Sequence, residues 1–122
     1  MTKRFSILSF RYAYEGLVAA FKEEPNLKFH FLIGLLVIIL GFILRISKID
    51  WVTIIILIGF VIAVELTNTA IETVVDGLTQ QHHPAAKIAK DISAGAVLVA
   101  ALTAAISGIL IFIPYLFIPV LP

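Results

Sequence analysis

Apolar residues gather in three long runs separated by short polar breaks, and each run predicts a helix that crosses a membrane. The first covers residues 27–44, with no charge between Lys28 and Arg45. A polar connection over 45–50 leads to Trp51, an interface anchor, and a second span over about 51–77. The third, over about 86–112, starts with Lys87, Lys90 and Asp91, carries no charge beyond them, and offers Ala and Gly surfaces for close helix contact. Pro114 and Pro119 are expected to end it, leaving 115–122 as apolar interface material. Ahead of the spans, residues 4–22 alternate with helical period. Ile7, Phe10, Tyr14, Leu17 and Phe21 form one stripe, and Arg4, Arg11, Glu15 and Lys22 another. Such a helix lies on a membrane surface. Pro25 breaks it from the first span by disfavouring helix at Glu24.

The second span ends in a polar stripe. Glu65, Asn68, Glu72 and Asp76 are spaced by three, four and four residues. At roughly 100° per residue they fall within an arc of about 80°. Glu65 lies about 21 Å along the helix from Trp51, so the stripe climbs from hydrocarbon toward headgroups. Acids inside a membrane are costly, and they mark functional sites unless something else explains them. Three in line repel one another, which a divalent cation or nearby lysines would relieve. A plain polar seam between helices would instead be built from Asn and Thr.

Composition narrows the class. Of 122 residues, 61% are hydrophobic and 14% charged, with a mean hydropathy of +1.08; soluble domains carry about a quarter charged residues. The whole chain, 1–122, reads as one all-α membrane domain. Without cysteine there is no thiolate chemistry. No phosphate-binding glycine loop occurs, no nucleic-acid partner is expected, and residues 1–26 lack the apolar core of a cleavable signal peptide. His82 and His83 stand beside acids, but the acids suit a hard cation such as Mg²⁺ better than zinc.

Seven cationic residues (Lys3, Arg4, Arg11, Lys22, Lys28, Lys87 and Lys90) fall on one side of the predicted spans, against Arg45 and Lys48 on the other. This places the N-terminus and the 78–86 loop in the cytoplasm, the C-terminus outside, and the acids toward cytoplasmic nucleotides. Carboxylates for metal, lysines for phosphate and a lipid setting are the parts of phosphoryl transfer to a lipid alcohol. A proton- or cation-coupled transporter and a helix-packing scaffold stay open, although a transporter has little use for acids climbing to one interface.

The run Glu65-Leu-Thr-Asn68-Thr-Ala-Ile-Glu72-Thr-Val-Val-Asp76 resembles the signature of the prokaryotic diacylglycerol kinase family, E-x-x-N-[ST]-[SA]-[LIV]-E-x-x-V-D. The family's second motif is matched by Ala89-Lys90-Asp91. Asn26-Leu-Lys28-Phe-His30 and the stretch from His83 to Asp91 look most like the undecaprenol kinase branch of Gram-positive bacteria. The resemblance implies a homotrimer with composite sites, working with ATP and Mg²⁺ on a lipid alcohol. Undecaprenol is the favoured alcohol and diacylglycerol the second. It makes Glu65 the catalytic base, Glu72 and Glu24 metal ligands that also meet ATP, and Asn68 and Asp76 groups that shape the site. Tyr12, Gln81, His82, His83, Lys90 and Asp91 would contact ATP, with Asp91 orienting Lys90 or the nucleotide, and Lys28 and His30 would face the lipid. Two positions depart from the family pattern: Phe5 stands where the family has Arg, with Arg4 beside it, and His82 replaces the more usual Tyr.

Overall fold

The computed structural model describes residues 7–79 and 83–117. They form four helices: α1 (Ile7–Glu23), α2 (Pro25–Leu44), α3 (Lys48–Leu78) and α4 (Pro84–Phe117). The all-α architecture and its three apolar spans match expectation. Mean hydropathies of 2.5, 2.4 and 2.7 accompany α2, α3 and α4. The 20 residues of α2 are about 30 Å long, a bilayer's hydrocarbon thickness. With 31 and 34 residues, α3 and α4 are longer than a bilayer requires. Counted from Lys48, about 30 Å of α3 ends near Thr67, so Asn68, Glu72 and Asp76 ride on the overhang.

Local chemistry sets each break. Between α1 and α2 a single residue, Glu24, is extended (φ −111°, ψ 105°), the conformation Pro25 imposes, and Pro25 itself opens α2. At the end of α2, Arg45 turns left-handed (φ 53°), and the N–H of Ile46 closes on the Gly41 carbonyl at 3.2 Å. Ser47 then caps α3, its Oγ accepting from the Asp50 N–H at 3.2 Å.

The expected stop at Pro114 is not observed: α4 continues through it to Phe117. Proline removes one backbone donor, a loss that a membrane helix can make good through its neighbours. Here the next residue ties the last turn down. Tyr115 donates its hydroxyl to Asp50 Oδ2 at 2.5 Å and accepts from the Ser47 N–H at 3.0 Å. Residues 118–122, the rest of the expected tail, lie outside the described residues.

Around that anchor sits the bundle's apolar core. Ile46, Ile54 and Phe112 are buried together, with Trp51, Leu44 and Tyr115 packed against them. Gly41 lets α2 approach Trp51 so closely that a Cβ there would sit 2.8 Å from the indole ring. Elsewhere apolar side chains point outward, as Phe42 (70% exposed) and Leu110 (66%) do. Such an exterior suits lipid as solvent. α3 packs chiefly on α4 and also on α2, while α1 rests on α2 and α3. At the end of the bundle away from the apolar core, the buried side chains on α3 and α4 are polar: Glu65, Asn68 and Ser93.

Candidate functional site

Glu65 is the deepest of these groups, 1% exposed, and neither carboxylate oxygen has a hydrogen-bond partner among the described residues. His30 on α2 stands beside it, its Nε2 3.7 Å from Oε2, beyond hydrogen-bond range. Glu24, half-buried in the break between α1 and α2, and Glu72, two stripe positions along α3, both interact electrostatically with Glu65. The break at Pro25 thus holds an acid from the end of α1 within electrostatic range of Glu65 on α3.

One turn beyond Glu65, Asn68 is 7% exposed and donates from Nδ2 to Glu72 Oε1 at 3.1 Å. Its Oδ1 accepts from Ser93 Oγ at 2.7 Å, which joins α3 to α4. Farther out, Lys90 Nζ donates to Asp76 Oδ1 at 2.9 Å, so α4 returns a cation to the last acid of the stripe. Lys90 also interacts electrostatically with Glu72 and Asp91. The threonines of the motif take no part in this seam. Thr67, Thr69 and Thr73 each donate to the carbonyl four residues back on their own helix.

The remaining expected residues divide. Asp91 hydrogen-bonds with Lys87 at 2.6 Å, one turn away on α4, and not with Lys90, whose hydrogen-bond partner is Asp76. The reason is register: residues four apart on one helix meet, whereas neighbours in sequence point apart. His83 turns its Nδ1 back to accept from the Ala85 N–H at 3.1 Å at the start of α4. Tyr12 is 60% exposed on α1. Lys28 does not join His30: its ammonium lies over the Phe21 ring at 5.9 Å and reaches the Lys22 carbonyl at 3.5 Å. Gln81, His82, Arg4 and Phe5 lie outside the described residues. Ser93 was not foreseen; its one signal in the sequence is that it follows Lys90 by one helical turn.

Among the described residues no three His, Cys, Asp or Glu side chains gather as a cage for metal. Mg²⁺ does not need one: it is commonly held by one or two carboxylates, with phosphates and water completing its shell. Glu72 and Glu24 are hard oxygen donors suited to that role.

Membrane-length helices with carboxylates, a pinned amide and a lysine at one end mark an integral membrane protein whose polar end carries groups suited to a cation and to phosphate. The model of the family described as prokaryotic diacylglycerol kinase matches residues 11–112. The undecaprenol kinase of Bacillus subtilis is 46% identical over 108 residues, 88% of each chain. The diacylglycerol kinase of Synechocystis is 40% identical over 109 residues, 88% of this chain and 62% of its own. That of Escherichia coli is 33% identical over 96 residues, 79% of each. The chain belongs to the prokaryotic diacylglycerol kinase family. It is a lipid kinase with ATP as its phosphate donor.

Proposed function

We propose that this kinase phosphorylates a polyprenol, with undecaprenol as its acceptor and undecaprenyl phosphate as its product. The observation that carries the choice is the likeness to the Bacillus subtilis undecaprenol kinase over most of both chains. A structural feature supports it. An apolar cavity of about 810 Å³ runs between α2, α3 and α4 from Phe117 to His30, and among the described residues His30 is its one polar lining side chain. Part of a long isoprenoid tail would lie in such a channel, with its hydroxyl at the His30 end beside Glu65. Diacylglycerol is the second reading, favoured by the names of the other relatives.

In this reading Glu65 takes the proton of the lipid hydroxyl as its oxygen bonds to the γ-phosphorus of ATP. The bond from that phosphorus to the bridging oxygen breaks, and ADP leaves. Glu72 and Glu24 hold Mg²⁺, which when bound offsets the negative charge of the phosphates. Lys90, steadied by Asp76, faces phosphate oxygens, and Asn68 keeps Glu72 in place. Tyr12, Gln81, His82, His83 and Asp91 line the nucleotide. Three copies assemble so that one subunit completes the site of the next. The N-terminus and the 78–86 loop face the cytoplasm, the C-terminus faces out, and α1 lies on the membrane surface with its aromatics in the acyl boundary.

Purified protein offered both lipids with Mg-ATP tests the acceptor, and preferential labelling of diacylglycerol would overturn the undecaprenol reading. Glu24→Gln tests the metal pair, with Glu23→Gln as its control. Turnover is expected to fall by orders of magnitude in the first and to persist in the second, whereas normal Mg²⁺ dependence in Glu24→Gln would remove Glu24 from the metal site.

A further inference from the structure

Hydroxyl groups on these helices mostly spend their proton locally. Thr53, Thr67, Thr69, Thr73 and Thr103 each donate to the carbonyl four residues back. Ser93 does otherwise, sending its proton across to Asn68 on α3. Both partners are more than nine-tenths buried, at 6% and 7% exposure, so bulk water does not compete for the bond.

The polarity of this chain of bonds is fixed by chemistry. The carboxylate of Glu72 only accepts, so the end of the Asn68 amide that faces it at 3.1 Å must be the NH₂ group. The carbonyl end then faces α4 and needs a donor, and at 2.7 Å the Ser93 hydroxyl is that donor. Were Ser93 absent, Asn68 would keep its attraction to Glu72 but lose the contact that stops its side chain from swinging. A carboxylate held by one oxygen keeps the other free to coordinate. Among the described residues, Glu72 Oε2 receives no hydrogen bond from a side chain.

We propose that Ser93 is a positioning residue for the cation: through Asn68 it fixes the Glu72 carboxylate in the orientation that binds a divalent metal. This rests on the reading above that Glu72 is a metal ligand. Partners that orient a ligating group typically change metal affinity 10- to 100-fold when removed, and a single neutral hydroxyl belongs at the low end of that range.

The test reads metal binding directly. Mn²⁺ is titrated by EPR into detergent-solubilised protein saturated with a non-hydrolysable ATP analogue. Ser93→Ala is expected to weaken Mn²⁺ binding about tenfold. It should also raise the Mg²⁺ needed for half-maximal turnover in proportion, while kcat at saturating Mg²⁺ and KM for the lipid stay close to wild type. Ser93→Thr, which keeps the donor, restores Mn²⁺ affinity. Should the extra methyl not fit, a double-mutant cycle decides: in a Glu72→Gln background Ser93→Ala has no further effect on Mn²⁺. If Glu72→Gln weakens Mn²⁺ binding but Ser93→Ala does not, the positioning role is wrong and the metal reading stands. If Glu72→Gln leaves Mn²⁺ binding unchanged, the metal reading fails and this inference with it. Loss of thermal stability in Ser93→Ala with an unmoved Mn²⁺ constant would make Ser93 a structural bridge and nothing more.

Discussion

Replacing Glu65 should raise stability and destroy turnover together. Both carboxylate oxygens are buried without a hydrogen-bond partner among the described residues. A buried polar group left unsatisfied costs about 1–3 kcal/mol. Glu65→Met, similar in length and free of polar atoms, is therefore expected to stabilise the protein by on the order of 2 kcal/mol. Glu65→Gln gives less, because its amide still lacks partners, but it preserves shape more closely. A positioned general base contributes about 10²- to 10⁴-fold to rate, so Glu65→Gln should lower kcat by that factor, or roughly 3–5 kcal/mol of barrier. KM for ATP should hardly move, since a group acting in the transition state leaves ground-state binding intact.

Two assays on the same detergent-solubilised samples check this: thermal unfolding, and transfer of labelled phosphate to lipid. A packing role for Glu65 makes the opposite forecast. If the carboxylate glues helices together, both variants lose stability and activity falls only as folded protein is lost. That outcome would refute the argument. A Glu65→Gln protein that keeps kcat but no longer binds ATP would move the residue to the nucleotide site.

Lys90→Met removes the cation that α4 returns to Asp76, and should raise KM for ATP at least tenfold or abolish transfer. Lys87→Met breaks an exposed pair worth less than about 1 kcal/mol and should do neither, so equal tolerance at both positions would remove Lys90 from the site. Tyr115→Phe deprives Asp50 and the Ser47 N–H of their partner. About 1–2 kcal/mol of stability should go, seen as a lower unfolding temperature at unchanged KM values. Gly41→Ala forces a methyl against Trp51 and should cost about 1–3 kcal/mol. Gly59→Ala meets nothing within 4 Å and should be neutral or stabilising by up to about 1 kcal/mol, and a reversal of that order would refute the packing at Gly41.

Much of this molecule is legible in its sequence because two strong signals govern it. Uncharged runs long enough to span a bilayer leave the chain few alternatives to three helices, and Pro25 marks a boundary by its own ring. The stripe from Glu65 to Asp76 is likewise set by helical period alone. What could not be read depends on how helices face one another. Asp91 follows Lys90 directly, yet each finds its partner elsewhere, Lys87 for one and Asp76 for the other. Ser93 has no charge and no motif partner, so only the meeting of α3 and α4 gives it meaning. Pro114 misled for a related reason: a proline's effect on a helix depends on what holds the residues beyond it, and here Tyr115 is held by residues at the start of α3, far away in sequence.

One face of α3 serves both ends of the bundle. Ile54, Val61, Glu65 and Asn68, its buried residues, follow at intervals of seven, four and three, which is a single helical stripe. The stripe packs with Ile46 and Phe112 at Ile54, and meets Ser93 at Asn68. These two positions are separated by about 21 Å of rigid helix. A tilt of only about 3° at the apolar end would therefore displace Asn68 by about 1 Å, enough to break a hydrogen bond. The tight fit of Gly41 against Trp51 and the Tyr115–Asp50 bond thus do more than stabilise the far end. By fixing how α2, α3 and α4 lie together there, they set the register in which Asn68 finds Ser93 and Lys90 finds Asp76.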